Sequence, residues 1–420
     1  MPHQVKIKAS EQDMNDLLSA AIVADVLSTS KKVVDSWSKN GKLTPDLFIK
    51  SEAMYSKEKL KKFPEFLSLF NSTWDQELKI KPKKDYSLVE LFAGAGGLAL
   101  GLENAGFKSI LLNEIDKSAA STLKHNRPEW NVINDDIANV NFTEFAGQVD
   151  LLTGGFPCQP FSYAGKQLGF DDIRGTLVFE MARAINEIKP KVFLAENVKG
   201  LKENDGGNTL STIIKILEEL GYKIIENNIY KSLFYKTPQK RERLIIIGVR
   251  NDIYHSCSYV PPSKYNRILT VRDALKAGDL YNSDVPSSLG QKYPKRKEEI
   301  MAHVPEGGYW RDLPIDLQKE YMQKSFFLGG GKTGMARRLS WDEPSLTLTC
   351  SPAQKQTERC HPSENRPLTT REYARIQTFP DDWVFKGSVT QIYKQIGNAV
   401  PVNLASAIGR SIIRMLNNID

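Results

Sequence analysis

SLVELFAGAGG, residues 87–97, is the stretch that decides the fold. Its apolar start predicts a buried β-strand, and its glycines predict a tight turn leading into a helix. Four similar apolar runs follow, namely SILLNEID (109–116), DLLTGGFPC (150–158), KVFLAENVKG (191–200) and RLIIIGVR (243–250). Helical patterns lie between them at LALGLENAGF (98–107), RGTLVFEMARAINEIKP (174–190) and NTLSTIIKILEELGY (208–222). This alternation predicts an α/β fold with a doubly wound, mostly parallel sheet.

The pattern changes on both sides of this predicted domain, which we place at residues 87–250. Residues 1–75 predict a small α-helical domain, and the lysine-rich segment 76–86 is typical of a linker. Residues 251–345 are rich in Pro, Tyr, Ser and Lys, which favours a second, smaller domain. Residues 346–420 should return to the first domain through two further helices. Their sequences are RPLTTREYARIQTFPDDW (366–383) and QIGNAVPVNLASAIGRSIIRML (395–416).

Composition narrows the class of protein only moderately. The 420 residues carry a formal net charge of +7, which fits a nucleic-acid partner but is as common among other enzymes. None of the four cysteines belongs to a CxxC pair, so we expect neither a disulfide framework nor a metal site. No apolar run reaches the roughly 18 residues of a membrane span, and no signal peptide is evident. These features favour a cytoplasmic protein.

A ligand-binding turn is predicted at the end of the first strand, in FAGAGG (92–97). Glycines there let the backbone approach a ligand closely, and the following helix offers free N–H groups. Glu114 follows the second strand at about the spacing typical of an acidic residue that binds ribose hydroxyls, and Asp136 follows at the next strand end, before residue 150. The glycines alone are equally typical of a plain turn. Together with the two acids, they predict an adenosine-type ligand.

A second constellation is centred on Cys158, between two prolines in GGFPCQPFS (154–162). A thiolate is a good nucleophile when positive charge lies nearby. Glu196 should end the fourth strand, while Arg241 and Arg243 alternate before the last, so that both can face one side. Taken singly, Glu196 is as typical of a helix cap, and the arginines of surface salt bridges. Taken jointly, these groups predict an active site at one sheet edge.

The chain resembles the bacterial DNA (cytosine-5)-methyltransferases, whose motifs it carries in order over about residues 87–415. These are ELFAGAGG, NEID, NDDI, GGFPCQPFS, ENVKG, QKRERLIIIGVR, RPLTTREYARIQTFPD and IGNAVPVN. The resemblance implies a Rossmann-like sheet of the class I S-adenosylmethionine-dependent methyltransferases, with 251–345 as target-recognition domain. It further implies methyl transfer from S-adenosylmethionine to C5 of a flipped cytosine in a specific duplex sequence, within a restriction-modification system.

The same resemblance implies a role for each predicted site residue. Cys158 would add to cytosine C6 and thereby make C5 nucleophilic. Glu196 would hold N3 and supply a proton, Arg241 would orient the cytosine carbonyl and the carboxylate, and Arg243 would assist near Cys158. The implied cofactor-binding residues are Phe92, Ala93, Gly94, Gly96, Gly97, Glu114, Ile115, Asp136, Ile137, Pro157, Asn398 and Val400.

DNA contacts are expected from two segments. Residues 161–180 match the loop that closes over DNA in this family, although Ala164 stands where some members have a serine that fills the gap left by the flipped base. Gln167 and residues 332–338 are alternative gap fillers. The predicted DNA-binding residues are Ser162, Gln167, Lys332, Arg337 and Arg338, with phosphate contact as the expected role of any single cation in the recognition domain.

The N-terminal stretch ADVLSTSKKVVDSWSKNGKLTP (24–45) resembles the helix-turn-helix of MerR-like and excisionase-like regulators, with Val33, Val34 and Trp37 facing inward. The next stretch, KSEAMYSKEKLKKF (50–63), would supply a wing and a further helix. The first arginine of the chain is Arg127, so that any DNA contact of this segment would depend on lysines. A small helical interaction domain is the alternative.

Three functions therefore compete. The leading one is a DNA methyltransferase acting on double-stranded DNA as a monomer or as a dimer through its N-terminal domain, in the cytoplasm and at the nucleoid. The second is a tRNA cytosine-5 methyltransferase of the same fold, against which the long variable segment 251–345 argues. The third is a regulator that binds its own promoter or operator DNA through the N-terminal domain.

Overall fold

The computed structural model describes residues 16–49, 52–156 and 176–419. The chain divides into two units, one of residues up to 74 together with 263–268, and one of residues 75–262 and 269 onwards. The short segment 263–268 thus leaves the predicted 251–345 region and belongs to the N-terminal unit. In the described part of the chain, no helix is both long and apolar enough to cross a membrane.

The N-terminal unit contains a small antiparallel sheet besides its helices, so the prediction of an α-helical domain missed these strands. Its strands β1 (Leu17–Ser19), β2 (Leu47–Ile49) and β3 (Glu52–Ser56) pair in the order β1-β3-β2. Alternate residues of β3, Ala53 and Tyr55, are buried, and this period of two favours a strand over a helix. Its described helices are Ala20–Val26, Lys31–Lys39, Lys57–Leu60 and Pro64–Phe70.

Two short helices joined by a turn are present in this unit, where the sequence predicts a helix-turn-helix. Ser19 and Ser30 cap the helices Ala20–Val26 and Lys31–Lys39, because each serine hydroxyl accepts a bond from a backbone N–H of the first turn. Val34 is fully buried, as predicted, whereas Val33 is exposed because it lies about 100° away around the helix.

A seven-stranded, mostly parallel sheet forms the centre of the second unit, as predicted. The strand order is β6-β5-β4-β7-β8-β11-β9, with only β11 antiparallel to its neighbours. The bounds are Tyr86–Leu91 (β4), Phe107–Asn113 (β5), Val132–Ile133 (β6), Leu151–Gly154 (β7), Val192–Val198 (β8), Tyr222–Lys231 (β9) and Glu242–Arg250 (β11).

Helices cover both faces of this sheet. Leu111 belongs to one buried cluster with the helices Leu177–Ile188 and Asn208–Glu219. Leu112, the next residue of β5, belongs to a second buried cluster, which includes residues of the helix Gly97–Ala105. Successive strand residues point to opposite faces, so the two clusters are the two cores of a doubly wound sheet. The remaining helices before residue 250 are Trp74–Glu77, Lys117–Asn126 and Gly200–Glu203.

The C-terminal segment folds into more pieces than its sequence pattern predicts. The stretch 395–416, predicted as one helix, spans parts of the two helices Val389–Asn398 and Val402–Ile419. Pro401 separates them, since proline lacks the N–H that a continuous helix requires. Within 366–383 only Thr370–Ile376 is helical, starting from a capping box between Thr369 and Glu372.

The region 269–360 contributes a third buried cluster with few regular elements. Its helices are Val271–Leu275, Lys295–Met301 and Ile315–Met322, and the short strand β12 (Ser345–Leu346) pairs in parallel with β10 (Gln239–Lys240). The cluster comprises Tyr293, Ile300, Met301, Val304, Trp310, Leu313, Tyr321, Met322, Met335, Ala336 and Cys360. Because it extends to Cys360, this core continues beyond residue 345.

Candidate active site

Two strand ends bring the predicted catalytic groups of β8 and β11 together. The strands are antiparallel, and their register places Val198 opposite Arg243 and Glu196 opposite Ile245. The carboxyl end of β8 therefore meets the start of β11. Because ligands bind beyond the carboxyl ends of strands in sheets of this type, this edge is where a site is expected.

Glu196 and Arg243 form an ion pair at this edge. Arg243 Nε lies 2.6 Å from Glu196 Oε1, and each side chain is only 12% exposed. Burial lowers the pKa of Arg243, while the negative charge of Glu196 opposes that shift. The pair fixes one oxygen of the carboxyl group and leaves its second oxygen, Oε2, to face the neighbouring strand end.

Arg241 is buried more deeply and has different partners. Its guanidinium donates hydrogen bonds to the backbone oxygens of Leu348, at 3.1 Å, and of Asn398, at 3.3 Å. Burial, together with the positive charge of Arg243, lowers the pKa of Arg241 well below its usual value. Its Nε has no hydrogen-bond partner among the described residues. In the described structure Arg243, rather than Arg241, forms the ion pair with the carboxylate of Glu196, and the predicted role of Arg241 toward the cytosine carbonyl stays a prediction.

The end of β7, which leads to the predicted nucleophile, lies close to the carboxyl group of Glu196. A Cβ added at Gly155 would lie 2.9 Å from Glu196 Oε2, so the glycine permits this close approach. Asn197 Nδ2 donates a 2.9 Å hydrogen bond to the backbone oxygen of Phe156. The residues predicted beyond this point, Pro157, Cys158, Ser162, Ala164 and Gln167, lie outside the described residues.

The glycine turn after β4 is held by Glu114. Its Oε2 accepts a 2.7 Å hydrogen bond from the backbone N–H of Gly94, and its Oε1 accepts one of 2.7 Å from that of Asp116. Burial raises the pKa of Glu114. Phe92 has a φ of 55°, a costly conformation for a residue other than glycine and one that is typical of functional sites.

The surroundings of this turn suit an adenosine-type cofactor. Among the described residues, no atom lies within 4 Å of a Cβ built at Gly94, so the turn is open at this residue. Ile115, next to the buried Glu114, is 64% exposed, so its side chain is accessible to a base. Asp136 caps the 3-10 helix Ile137–Asn139 by accepting from the N–H of Ala138, and its carboxyl group stays at the surface. Ala93 and Ile137 are buried beside these groups.

The segment 398–400 connects the two halves of the site. A Cβ at Gly97 would lie 2.4 Å from the backbone oxygen of Val400, which shows how closely this segment packs on the glycine turn, while Gly96 adopts a φ of 85°. At the same time the backbone oxygen of Asn398 accepts from Arg241. The segment 398–400 thus contacts both the glycine turn and Arg241.

Sequence reasoning missed three residues here. Asn197 is not among the predicted site residues, although the ENV motif contains it. Glu90, in β4, is 1% exposed, accepts a 3.3 Å hydrogen bond from Thr153, and has a pKa that burial raises to about 8. Cys350 is exposed, and its Sγ lies 3.2 Å from Asn398 Oδ1. The only sequence signal for Cys350 is its position ahead of the predicted return helix at 366–383.

The predicted DNA-contacting cations of the recognition region differ sharply in accessibility. Arg338 is 4% exposed and donates to the backbone oxygens of Val304, His361, Glu364 and Met301 and to Asn365 Oδ1. The predicted DNA contact of Arg338 is therefore wrong, since each nitrogen of its guanidinium already donates hydrogen bonds within the protein.

Lys332 and Arg337 have other surroundings. Lys332 Nζ donates to the backbone oxygens of Leu328, at 2.9 Å, and Ser325, so it closes a turn within its own loop. Arg337 is half-buried and lies over the ring of Tyr309 at 6.0 Å. Of the three, Lys332 and Arg337 are half-buried and only Arg338 is buried.

Comparisons with known proteins identify the family. Residues 86–414 match the model of the C-5 cytosine-specific DNA methylases. The type II methyltransferase M.PspPI of a Psychrobacter species is 74% identical, over 95% of this chain and 96% of the relative. The type II methyltransferase M.Eco47II of Escherichia coli is 61% identical, over 97% and 98%.

Solved structures agree on the fold. A proposed DNA modification methyltransferase from an Escherichia coli prophage superposes with a TM-score of 0.60 at 23% identity, over 79% of this chain and all of the other. The Dnmt2 methyltransferase of S. pombe gives 0.53 at 16% identity, over 80% and 100%. With the family match and the high identity of its relatives, the chain belongs to the C-5 cytosine-specific DNA methylase family, as a type II DNA cytosine-5 methyltransferase of the restriction-modification type.

Proposed function

We propose that this enzyme methylates C5 of a cytosine that has rotated out of a specific duplex sequence, through a covalent bond between Cys158 and C6. The observation that carries the proposal is the buried Glu196–Arg243 pair. It leaves Glu196 Oε2 directed at Gly155, three residues before Cys158. A cytosine between them would meet a nucleophile and a carboxyl group together.

The Cys158 sulfur forms a bond to C6 while N3 accepts a proton from Glu196, which turns C5 into an enamine carbon. C5 would then take the methyl group, whose bond to the donor sulfur breaks. C5 gives its own proton to water, N3 returns its proton to Glu196, and the C6–S bond breaks to release 5-methylcytosine and the thiolate. Arg243 holds the carboxyl group of Glu196 in position for the proton transfer. Arg241 holds the segment 398–400 at this edge, because it donates a hydrogen bond to the backbone oxygen of Asn398.

The methyl donor is S-adenosylmethionine, which supplies an electrophilic methyl group when bound. The turn 92–97 suits the binding of this cofactor. This supports the predicted contacts of Phe92, Glu114, Ile115 and Asp136. In this proposal Glu114 and Asp136 accept from the ribose and base, and Phe92 and Ile115 pack on the adenine. The role of the protein is to bind and orient this cofactor against the Cys158 edge.

Bisulfite sequencing of DNA from cells that express the chain tests this proposal. We expect one short sequence in which a single cytosine resists conversion, and no such sequence with Cys158→Ala as the matched control. Uniform conversion with the wild-type enzyme would contradict methylation at C5. Methyl transfer to tRNA but not to duplex DNA would favour the alternative substrate instead.

A second role, transcriptional autoregulation, is supported by the N-terminal unit. Lys32, Ser36 and Lys39 lie on the face of helix Lys31–Lys39 opposite the buried Val34, as in a recognition helix. A mobility shift with the DNA upstream of the gene tests this role in the full chain. We expect Lys32→Ala/Lys39→Ala to abolish the shift and the charge-matched control Lys215→Ala/Lys223→Ala to retain it. No shift with the wild-type chain would refute the role.

A further inference from the structure

Phe327 and Leu328 form an exposed apolar tip in the region 269–360. Phe327 is 82% exposed and Leu328 65% exposed. Single apolar side chains at a surface are ordinary, but two large neighbours at the same loop tip are less so. The glycines 329–331 follow directly, so that no side chain covers the tip from that direction.

The loop that carries this tip is firmly built. Lys332 Nζ donates hydrogen bonds to the backbone oxygens of Ser325 and Leu328, and the N–H of Leu328 donates to the backbone oxygen of Ser325 at 3.3 Å. Phe326 packs edge-on against Trp310, with ring centroids 6.1 Å apart. These contacts restrain the loop, and a restrained loop lowers the entropic cost of binding.

The charges around the tip are mainly positive. Lys324 and Lys332 belong to the loop, and Arg311 lies over the Trp310 ring at 5.1 Å. The nearest acid in the preceding helix, Glu320, is engaged by Arg296 at 2.6 Å. An apolar, aromatic tip among cations suits a polyanion that also offers flat aromatic faces, which is the chemistry of nucleic acid.

We propose that Phe327 inserts into a base step of the bound DNA duplex and stacks on a base, with Leu328 packed beside it. This inference rests on the proposed function, because the duplex is the substrate of the methyl transfer. Opening a base step costs a few kcal/mol, which the stacking contact and the surrounding cations offset. The tip would then act as a specificity-determining contact, since base steps differ in how easily they open.

Fluorescence anisotropy with the full-length enzyme tests the proposal. The probe is a duplex of about 30 base pairs that contains the sequence found by bisulfite sequencing. Phe327→Ala should weaken binding by about 10-fold or more, as expected for loss of one base–aromatic stack. Phe327→Trp should restore it, and the control Ile315→Ala, at a residue 54% exposed, should bind as the wild type does. The dependence of affinity on salt should stay unchanged, because no phosphate contact is removed.

Two outcomes would overturn the inference. One is an affinity of Phe327→Ala for the duplex within about twofold of the wild-type affinity. This holds even if sedimentation shows that the substitution changes the oligomeric state. The other is a tryptophan variant as weak as the alanine variant, because a larger ring should stack at least as well. Failure of the proposed function is recognised separately, since the wild-type enzyme would then transfer no tritium from labelled S-adenosylmethionine to the DNA.

Discussion

Replacing Arg243 by methionine tests the ion pair on which the account of the site depends. Arg243 Nε lies 2.6 Å from Glu196 Oε1, and both side chains are 12% exposed. Removing one partner of a buried pair costs about 3–5 kcal/mol because the other charge is left uncompensated. Since both groups keep slight exposure, we expect Arg243→Met to lower the free energy of unfolding by about 3 kcal/mol, the lower end of that range.

The double variant Glu196→Gln/Arg243→Met separates stability from catalysis. It removes both charges, so we expect most of the lost stability to return. Methyl transfer should remain absent, because an amide cannot supply the proton that cytosine N3 needs. Thus one substitution should unfold the protein more easily and abolish activity, while the second should restore only the stability.

Urea unfolding followed by tryptophan fluorescence measures stability, and tritium transfer from labelled S-adenosylmethionine measures activity. Arg250→Met, in the same strand, is the control, because its ion pair with Asp252 is more exposed and should contribute less than about 1 kcal/mol. The reasoning is refuted if Arg243→Met costs no more than this control, or if the double variant is as unstable as the single one.

Three further substitutions probe the rest of the site. Asn197→Ala should cost about 1–3 kcal/mol, because the buried Phe156 oxygen loses its donor, and should reduce methyl transfer more than DNA binding; equal losses in both assays would contradict this. Gly97→Ala should impair folding and cofactor binding measured by calorimetry, since its Cβ would lie 2.4 Å from the Val400 oxygen, whereas Gly200→Ala, which meets nothing within 4 Å, should be tolerated. Glu90 has a pKa raised from 4.5 to about 8, so the folded state binds its proton more tightly and wild-type stability should fall as pH rises from about 4.5 to 8. Glu90→Gln should therefore gain stability over the wild type between pH 6 and 8.5 in urea unfolding, and a gain that does not grow with pH would refute the assignment.

The sequence predicts the sheet well because its signals are local. The apolar runs at residues 87–91 and 243–250 are long enough to form buried strands in almost any context. Glu114 is equally predictable, since strand and turn fix the position of an acid that follows them directly.

The arginines show where local reasoning ends. Arg337 and Arg338 are neighbours of the same type, yet Arg338 is enclosed by oxygens from distant segments that no pattern reveals. Arg241 lies between β10 and β11, and the short strand that precedes it depends on pairing with Ser345–Leu346. Which arginine meets Glu196 is therefore decided by tertiary contacts.

The central claim is that Cys158 forms a covalent bond to cytosine at the edge marked by Glu196. DNA in which 5-fluorocytosine replaces the target cytosine tests it most directly, because fluorine at C5 cannot leave as a proton. After incubation with S-adenosylmethionine, the wild-type enzyme should run with the DNA on a denaturing gel, and Cys158→Ala should not. Absence of the adduct with the wild-type enzyme, or its presence with Cys158→Ala, would contradict the claim.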